Sequence, residues 1–205
     1  MVLLFEDRPP LAFDVLSIGI GSVPTFDGVE QIDETVLAIK PMQSFLDRLE
    51  ARLRTAKEHN PNRPLRIAVV GGGAAGAEIT FCLPSRVKKL FGDVELELTL
   101  IHGGDELVSG SLPATSRRVH KELKERGVTV LLNQRVRRAC CGKVELSDGT
   151  TIETDVVLWA TSASAPELLR QLNLPTDARG FLLTDANLRT TAGAPVFVVG
   201  ETGPM

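Results

Sequence analysis

Apolar runs and helical stripes alternate through the middle of this chain. Residues 65–70 (LRIAVV) form a short apolar run rich in β-branched residues and read as a buried strand. The run leads into Gly71-Gly72-Gly73-Ala74-Ala75-Gly76 and then a helical stretch broken at Pro84. Proline lacks the N–H that would bond the carbonyl of Thr80, so the pattern predicts a kink there, or one helix ending and another starting. A strand at 94–101 follows, then a helix from about 114 to 126 closed by Gly127, then a short strand at 128–132. Residues 143–146 and 150–153 flank Ser147-Asp148-Gly149, a good hairpin turn. Residues 155–160 (DVVLWA) read as another buried strand, and 195–199 as a last one running into Gly200-Glu201. Upstream, 12–22 (AFDVLSIGIGS) read as a buried strand and 23–40 as irregular. From Pro41, Phe45, Leu46, Leu49 and Leu53 recur at helical spacing until Asn60-Pro61-Asn62-Arg63-Pro64 stops the helix and reads as a linker.

Composition narrows the classes. The 205 residues suit one domain, or one domain with pieces of a neighbour. With 23 Lys and Arg against 26 Asp and Glu and no basic block, neither nucleic acid nor an anionic membrane surface is expected as a main partner. No apolar run approaches the roughly 18 residues of a membrane span. The start, MVLLFEDRPP, lacks the basic-then-apolar order of a signal peptide, so a cytoplasmic location is expected. The three cysteines, Cys82, Cys140 and Cys141, include no C-x-x-C. They read as free thiols with Cys82 buried; a vicinal disulfide between Cys140 and Cys141 is the strained alternative. The histidines are too scattered for a metal site.

The glycine loop carries the chemistry. Gly71-x-Gly73-x-x-Gly76 has the spacing that dinucleotide binding requires: a turn residue, a position where pyrophosphate approaches the backbone, and a close helix–sheet contact. The loop positions Gly72, Ala74 and Ala75 lie at the helix start, whose free N–H groups and positive end face the phosphates. A glycine turn serving only packing is the competing reading. An acid at the end of the second strand normally holds the ribose hydroxyls. Here that position is His102, with Asp105 and Glu106 a few residues beyond. Asp105 reaching the ribose favours NAD, while a protonated His102, or Arg117 and Arg118 from the next helix, would favour NADP; the balance leans to NAD. Glu78, two residues past the final glycine, either stabilises a helix N-terminus or stands near the reactive end of a nicotinamide.

Together these residues resemble the flavin-dependent pyridine nucleotide-disulfide oxidoreductase superfamily. The resemblance is strongest to type II NADH dehydrogenase-like proteins and to the oxidoreductase module fused to selenide, water dikinase. VVGGGAAGAEI resembles their NAD(P)H glycine motif, with Glu78 matching the acid that follows it. VELSDGTTIETDVVLWATSASAP is similar to the hairpin leading back to the flavin domain, placing Ala160-Thr161-Ser162 where those proteins have Ala-Thr-Gly. FDVLSIGIGSVP resembles the earlier crossover, and VFVVGETGP the flavin-contacting stretch, with Gly200-Glu201 in place of Gly-Asp. The resemblance implies that Thr161, Ser162, Gly200 and Glu201 approach the cofactors. It also implies an interior piece that lacks the first βαβ unit for FAD, and therefore does not retain FAD tightly.

The expected fold is α/β, a Rossmann-type parallel sheet with an antiparallel β-hairpin crossover in three layers. Residues 65–160 are expected to form the NAD(P)H-binding domain. Residues 1–64 read as flavin-domain remnant plus helical linker, with the 41–60 helix beside the linker or at the flavin-domain boundary. Residues 161–205 read as the flavin-domain return segment. The expected function is to bind NAD(P)H and pass hydride to FAD in a full-length parent, with the electron acceptor open and a homodimer among the expected states. A non-enzymatic nucleotide-binding or interaction module is the alternative, and a loop serving an S-adenosyl cofactor is a weaker third.

Overall fold

The computed structural model describes residues 1–161 and 163–203. Its principal elements in chain order begin with β1 (Leu16–Ile18), β2 (Gln31–Ile32), β3 (Val36–Ala38), α1 (Met42–His59), β4 (Leu65–Val70) and α2 (Ala74–Phe91). β5 (Leu96–Ile101), α3 (Pro113–Glu125), β6 (Thr129–Leu131), β7 (Val136–Cys140) and β8 (Lys143–Leu146) follow. The chain continues through β9 (Thr151–Glu153), β10 (Val156–Trp159), α4 (Glu167–Gln171) and β11 (Val196–Val198). These elements divide into two compact units, Pro24–Ser162 and Met1–Val23 with Ala163–Met205.

In the unit of Pro24–Ser162, five parallel strands lie in the order β3-β10-β4-β5-β6. The pleat of β4 sends Ile67 and Val69 to one face and Ala68 and Val70 to the other, which is why all four of these residues are apolar. On the first face, Leu98, Leu100, Val156 and Leu158 pack with Phe45, Leu49 and Leu53 of α1, Leu83 and Val87 of α2, and Leu123 of α3. On the second, Ile101, Val157 and Trp159 meet Val136, Ala139, Val144 and Leu146 of a second sheet, ordered β9-β8-β7-β2. Within it β7, β8 and β9 are antiparallel. Helices, parallel sheet and second sheet form three layers, so this unit is an α/β, Rossmann-like fold.

Asp155, immediately before β10, ties the strand starts together. Its side chain, only 6% exposed, accepts the Arg66 N–H at 2.9 Å and both ends of the Arg63 guanidinium at 3.1 and 2.5 Å. Residues 60–64 are thereby clamped to the sheet. Asp155→Ala leaves that N–H and the guanidinium without their acceptor. We expect a loss of about 2–3 kcal/mol, at the lower end of the buried-pair range because Arg63 is partly solvated. Urea denaturation measures it, and an unchanged midpoint would contradict it.

Several expectations need correction. Within 23–40, β3 adds to the edge of the parallel sheet beside β10, a pairing that three residues cannot announce on their own. The 41–60 helix packs on that sheet as well as beside the linker, where Lys57 donates to the Arg63 carbonyl at 3.1 Å, and joins α2 through an Arg86–Glu50 ion pair at 2.9 Å. Leu46 falls off its buried stripe of Phe45, Leu49, Leu53 and Ala56, and is exposed. α2 continues through Pro84, so no second helix starts there. Cys82 is exposed, because the buried face of α2 follows Gly76, Thr80, Leu83 and Val87. All three cysteines are free thiols. β7 has no counterpart in the sequence expectation: its arginines at 137 and 138 mask a strand whose Val136 and Ala139 are buried.

In the other unit, β1 pairs in parallel with β11, over a core including Ile18, Leu169, Phe181, Leu182, Val196 and Val198. Of residues 12–22, only Leu16–Ile18 enter this ladder, and Val15 and Ile20 are exposed. Among the described residues, no helix is long and apolar enough to cross a membrane.

Candidate functional site

The glycine loop assigns each of its glycines a different task. Gly71 has φ +117°, its N–H donates to the Ile101 carbonyl at 2.8 Å, and a Cβ there would lie 2.2 Å from the Ala160 carbonyl oxygen. A Cβ on Gly76 would lie 1.8 Å from the Gly71 carbonyl oxygen. Gly72 is closed off too, since a Cβ would fall 2.5 Å from Leu107 Cδ2 and 2.7 Å from His102 Cγ. Gly73 alone has nothing within 4 Å. Three glycines therefore serve the turn and the packing, and the fourth leaves open space.

That space is a cavity of about 800 Å3. Gly71, Gly72, Gly73, Ala74 and Ala75 form one wall, with His102, Gly103 and Gly104 at the end of β5 and Arg135 from the segment between β6 and β7. Trp159, Ala160 and Thr161, at the end of β10, form another. The segment from Thr25 to Val29 contributes Thr25, Asp27, Gly28 and Val29. The Thr25 carbonyl accepts the Trp159 indole N–H at 2.8 Å and the Thr161 hydroxyl at 2.7 Å, and Phe26 stacks on Trp159 with centroids 5.0 Å apart. α2 starts at this cavity with no acid in its first turn and no capping side chain. Its first helical bond runs from the Ala77 N–H to the Gly73 carbonyl, leaving the preceding N–H groups without helical acceptors. These donors and the positive helix end suit an anion in the cavity.

His102 is held by the loop it supports. Its Nδ1 accepts the Gly72 N–H at 3.1 Å, and its own backbone N–H bonds the Leu131 carbonyl. Burial pushes its pKa below the ordinary histidine value, assisted by the Arg135 charge and opposed by the Glu106 backbone contact and the Asp105 carboxylate. A neutral ring is also what the accepting Nδ1 requires, which argues against a protonated His102 as a phosphate ligand. As pH falls below about 6.5, the unfolded chain takes up this proton before the folded one. The stabilisation is therefore complete above that pH and declines as the pH drops through the lowered folded value. His102→Asn should flatten the slope of stability against pH between about 7 and 5. Equal slopes in thermal melts of both proteins would contradict this.

The remaining candidates are dispersed. Glu78 is exposed on the second turn of α2, outside the cavity lining. Asp105 and Arg117 line a separate groove of about 510 Å3 along α3. Thr161 lies on the cavity wall, and Ser162 lies outside the described residues. Gly200 and Glu201 belong to the other unit. There Glu201 Oε2 accepts the Ser22 hydroxyl at 2.6 Å, and Thr202 Oγ1 accepts the Gly21 N–H at 3.0 Å. The two short glycine-containing stretches at 19–22 and 200–202 are thus brought together. Sequence reading missed Thr25, Leu107 and Arg135, which sit in no motif and reach the loop only through the fold. Among the described residues, no cluster of three metal-ligating side chains occurs.

Comparison with known proteins agrees with this architecture. The chain is 30% identical over 145 residues to the type II NADH:quinone oxidoreductase of Haemophilus influenzae, covering 67% of this chain and 33% of the relative. It is 25% identical over 194 residues to demethylphylloquinone reductase NdbB of Synechocystis, covering 93% and 46%. It therefore spans a third to a half of the length of these curated relatives. Its fold matches the structure of NDH2 from Plasmodium falciparum in complex with NADH, with a TM-score of 0.79 at 20% identity, over 95% of this chain and 45% of that one. It also matches reduced Bacillus anthracis CoADR-RHD, with a TM-score of 0.77 at 21% identity, over 95% and 33%. The family model described as pyridine nucleotide-disulphide oxidoreductase matches residues 6–204, and the chain belongs to that family.

Proposed function

We propose that this chain binds NAD(P)H in the cavity at residues 71–75 and presents it for hydride transfer within a flavin-dependent oxidoreductase. The observation that carries this reading is Gly73, open at the start of α2 with no side chain between the backbone and the cavity. Pyrophosphate fits there, against donors that no carboxylate or capping side chain pre-empts. The nicotinamide then extends towards Trp159 and Thr161, where the Thr25 carbonyl fixes both side chains. When bound, the cofactors would supply the redox chemistry, while these residues would hold and orient the nucleotide.

FAD is proposed not to stay with these 205 residues. Among the described residues, one glycine-rich loop leads from a strand into a long helix, and it is the loop assigned above to NAD(P)H. Calorimetric titration of the purified chain with NADH and NADPH tests the main reading. One saturable site for either supports it, and heats of dilution alone overturn it. Stoichiometric flavin absorbance in the purified protein would overturn the statement about FAD. The Ser22–Glu201 bond favours a second reading, a nucleotide-binding module without turnover, because it engages the carboxylate aligned with the flavin-contacting stretch. Binding without any flavin reduction in the longest soluble form of the protein would favour it.

A further inference from the structure

A dinucleotide's adenosine ribose meets side chains at the end of β5, and here the described cavity-lining residues that follow it, His102, Gly103 and Gly104, include no carboxylate. Asp105 and Glu106 turn into the separate α3 groove. The cavity-lining carboxylate is Asp27, two residues from Thr25, whose carbonyl is bound at the end of β10. Thr25 is thereby tied to the end of β10, which β4 separates from β5.

A guanidinium lies beside the end of β5. The positions of Cγ, Nε and Cζ of Arg135 lie 3.2, 3.6 and 3.7 Å from where a Cβ of Gly103 would stand, so the glycine makes room for this side chain. The segment carrying Arg135 is stitched to the end of β5. The Gln134 N–H donates to the His102 carbonyl at 2.9 Å, and the Asn133 N–H to the Gly104 carbonyl at 2.8 Å. From the other side, the Ser147 N–H donates to the Arg135 carbonyl at 2.8 Å. Among the described residues, no carboxylate lies within ion-pair distance of Arg135. Its sequence neighbours differ, since Arg137 and Arg138 share Glu30.

We propose that Arg135 binds the adenosine 2′-phosphate and that the cavity therefore prefers NADPH to NADH. This rests on the nucleotide-binding reading above and reverses the lean to NAD, whose basis was Asp105. Among the described residues lining the cavity just after β5 a ribose 2′-hydroxyl finds no carboxylate acceptor, whereas a phosphate monoester finds a planar, permanently charged donor set held on a pinned backbone. The phosphate is mostly doubly charged above about pH 6, so the preference grows as pH rises through that value.

The test is titration of the full 205-residue chain with NADPH, NADH and adenosine 2′,5′-bisphosphate. Wild type, Arg135→Gln and Arg135→Lys are compared after circular dichroism establishes that each is folded. We expect NADPH to bind at least about tenfold more tightly than NADH. Arg135→Gln brings that ratio towards one and weakens the bisphosphate, while Arg135→Lys, which keeps a point charge, retains part of the ratio. Equal affinities in the wild type, or a ratio that Arg135→Gln leaves intact, overturns the assignment to Arg135 while the nucleotide site stands. Binding of neither dinucleotide overturns both.

Discussion

Replacing Gly76 by alanine is expected to cost more than about 3 kcal/mol, lowering the melting temperature by roughly 6–12 °C for a domain of this size. Alanine is normally the better helix former, so propensity alone predicts the opposite sign. The contact decides the outcome. A Cβ at position 76 would stand 1.8 Å from the Gly71 carbonyl oxygen, a backbone atom with no rotamer to move. Gly71 is itself fixed, with its N–H on the Ile101 carbonyl and a φ that side-chain-bearing residues rarely adopt. Relief requires moving α2 off the sheet, and Val87 and Leu83 of α2 are core residues. Thermal and urea denaturation give the magnitude. A variant as stable as wild type would show that the close helix–strand approach is not needed.

Gly73→Val should do the reverse, abolishing nucleotide binding while leaving the fold in place. Gly73 has φ −70° and ψ −177°, extended backbone that valine adopts readily. No atom lies within 4 Å of the added Cβ, so the new methyl groups enter the cavity without strain. Valine is a poorer residue than glycine at a helix N-cap, which sets a stability cost of about 1 kcal/mol or less. Binding should fall by about a hundredfold or more, because the methyl groups occupy the place where pyrophosphate approaches the backbone and mask the helix donors. Unchanged affinity would remove the glycine loop from the site. The two substitutions lie three residues apart in one loop, and their opposite outcomes separate packing from binding.

What was legible in the sequence follows from how local each signal is. β4 and its glycines, the α3 end at Gly127 and the Ser147-Asp148-Gly149 hairpin announce themselves, because a short stretch contains both the strand or helix pattern and the residue that ends it. β3 does not, since three residues become a strand only by pairing with β10, more than a hundred positions away. β7 is hidden by its arginines, which neutralise Glu30 on the solvent side while Val136 and Ala139 face inward. The cavity is half legible for the same reason. Its glycine wall is one contiguous motif, whereas the wall at the end of β5 joins His102 to the segment of Arg135 through backbone bonds between separate loops. Sequence distance from the motif left Asp105 and His102 both open as ribose-end candidates, and the structure puts Asp105 in the lining of another groove.

The most direct test of the cavity assignment uses Trp159, the chain's single tryptophan, in a protein with no tyrosine. It lines the cavity, so its emission reports on that site. Tryptophan emission overlaps the absorption of reduced nicotinamide. Titration of wild type with NADPH should therefore give saturable quenching of Trp159 with matching sensitised nicotinamide emission, and Gly73→Val should show neither. Absence of transfer in folded wild type, or transfer that survives Gly73→Val, would contradict the placement of the dinucleotide in this cavity.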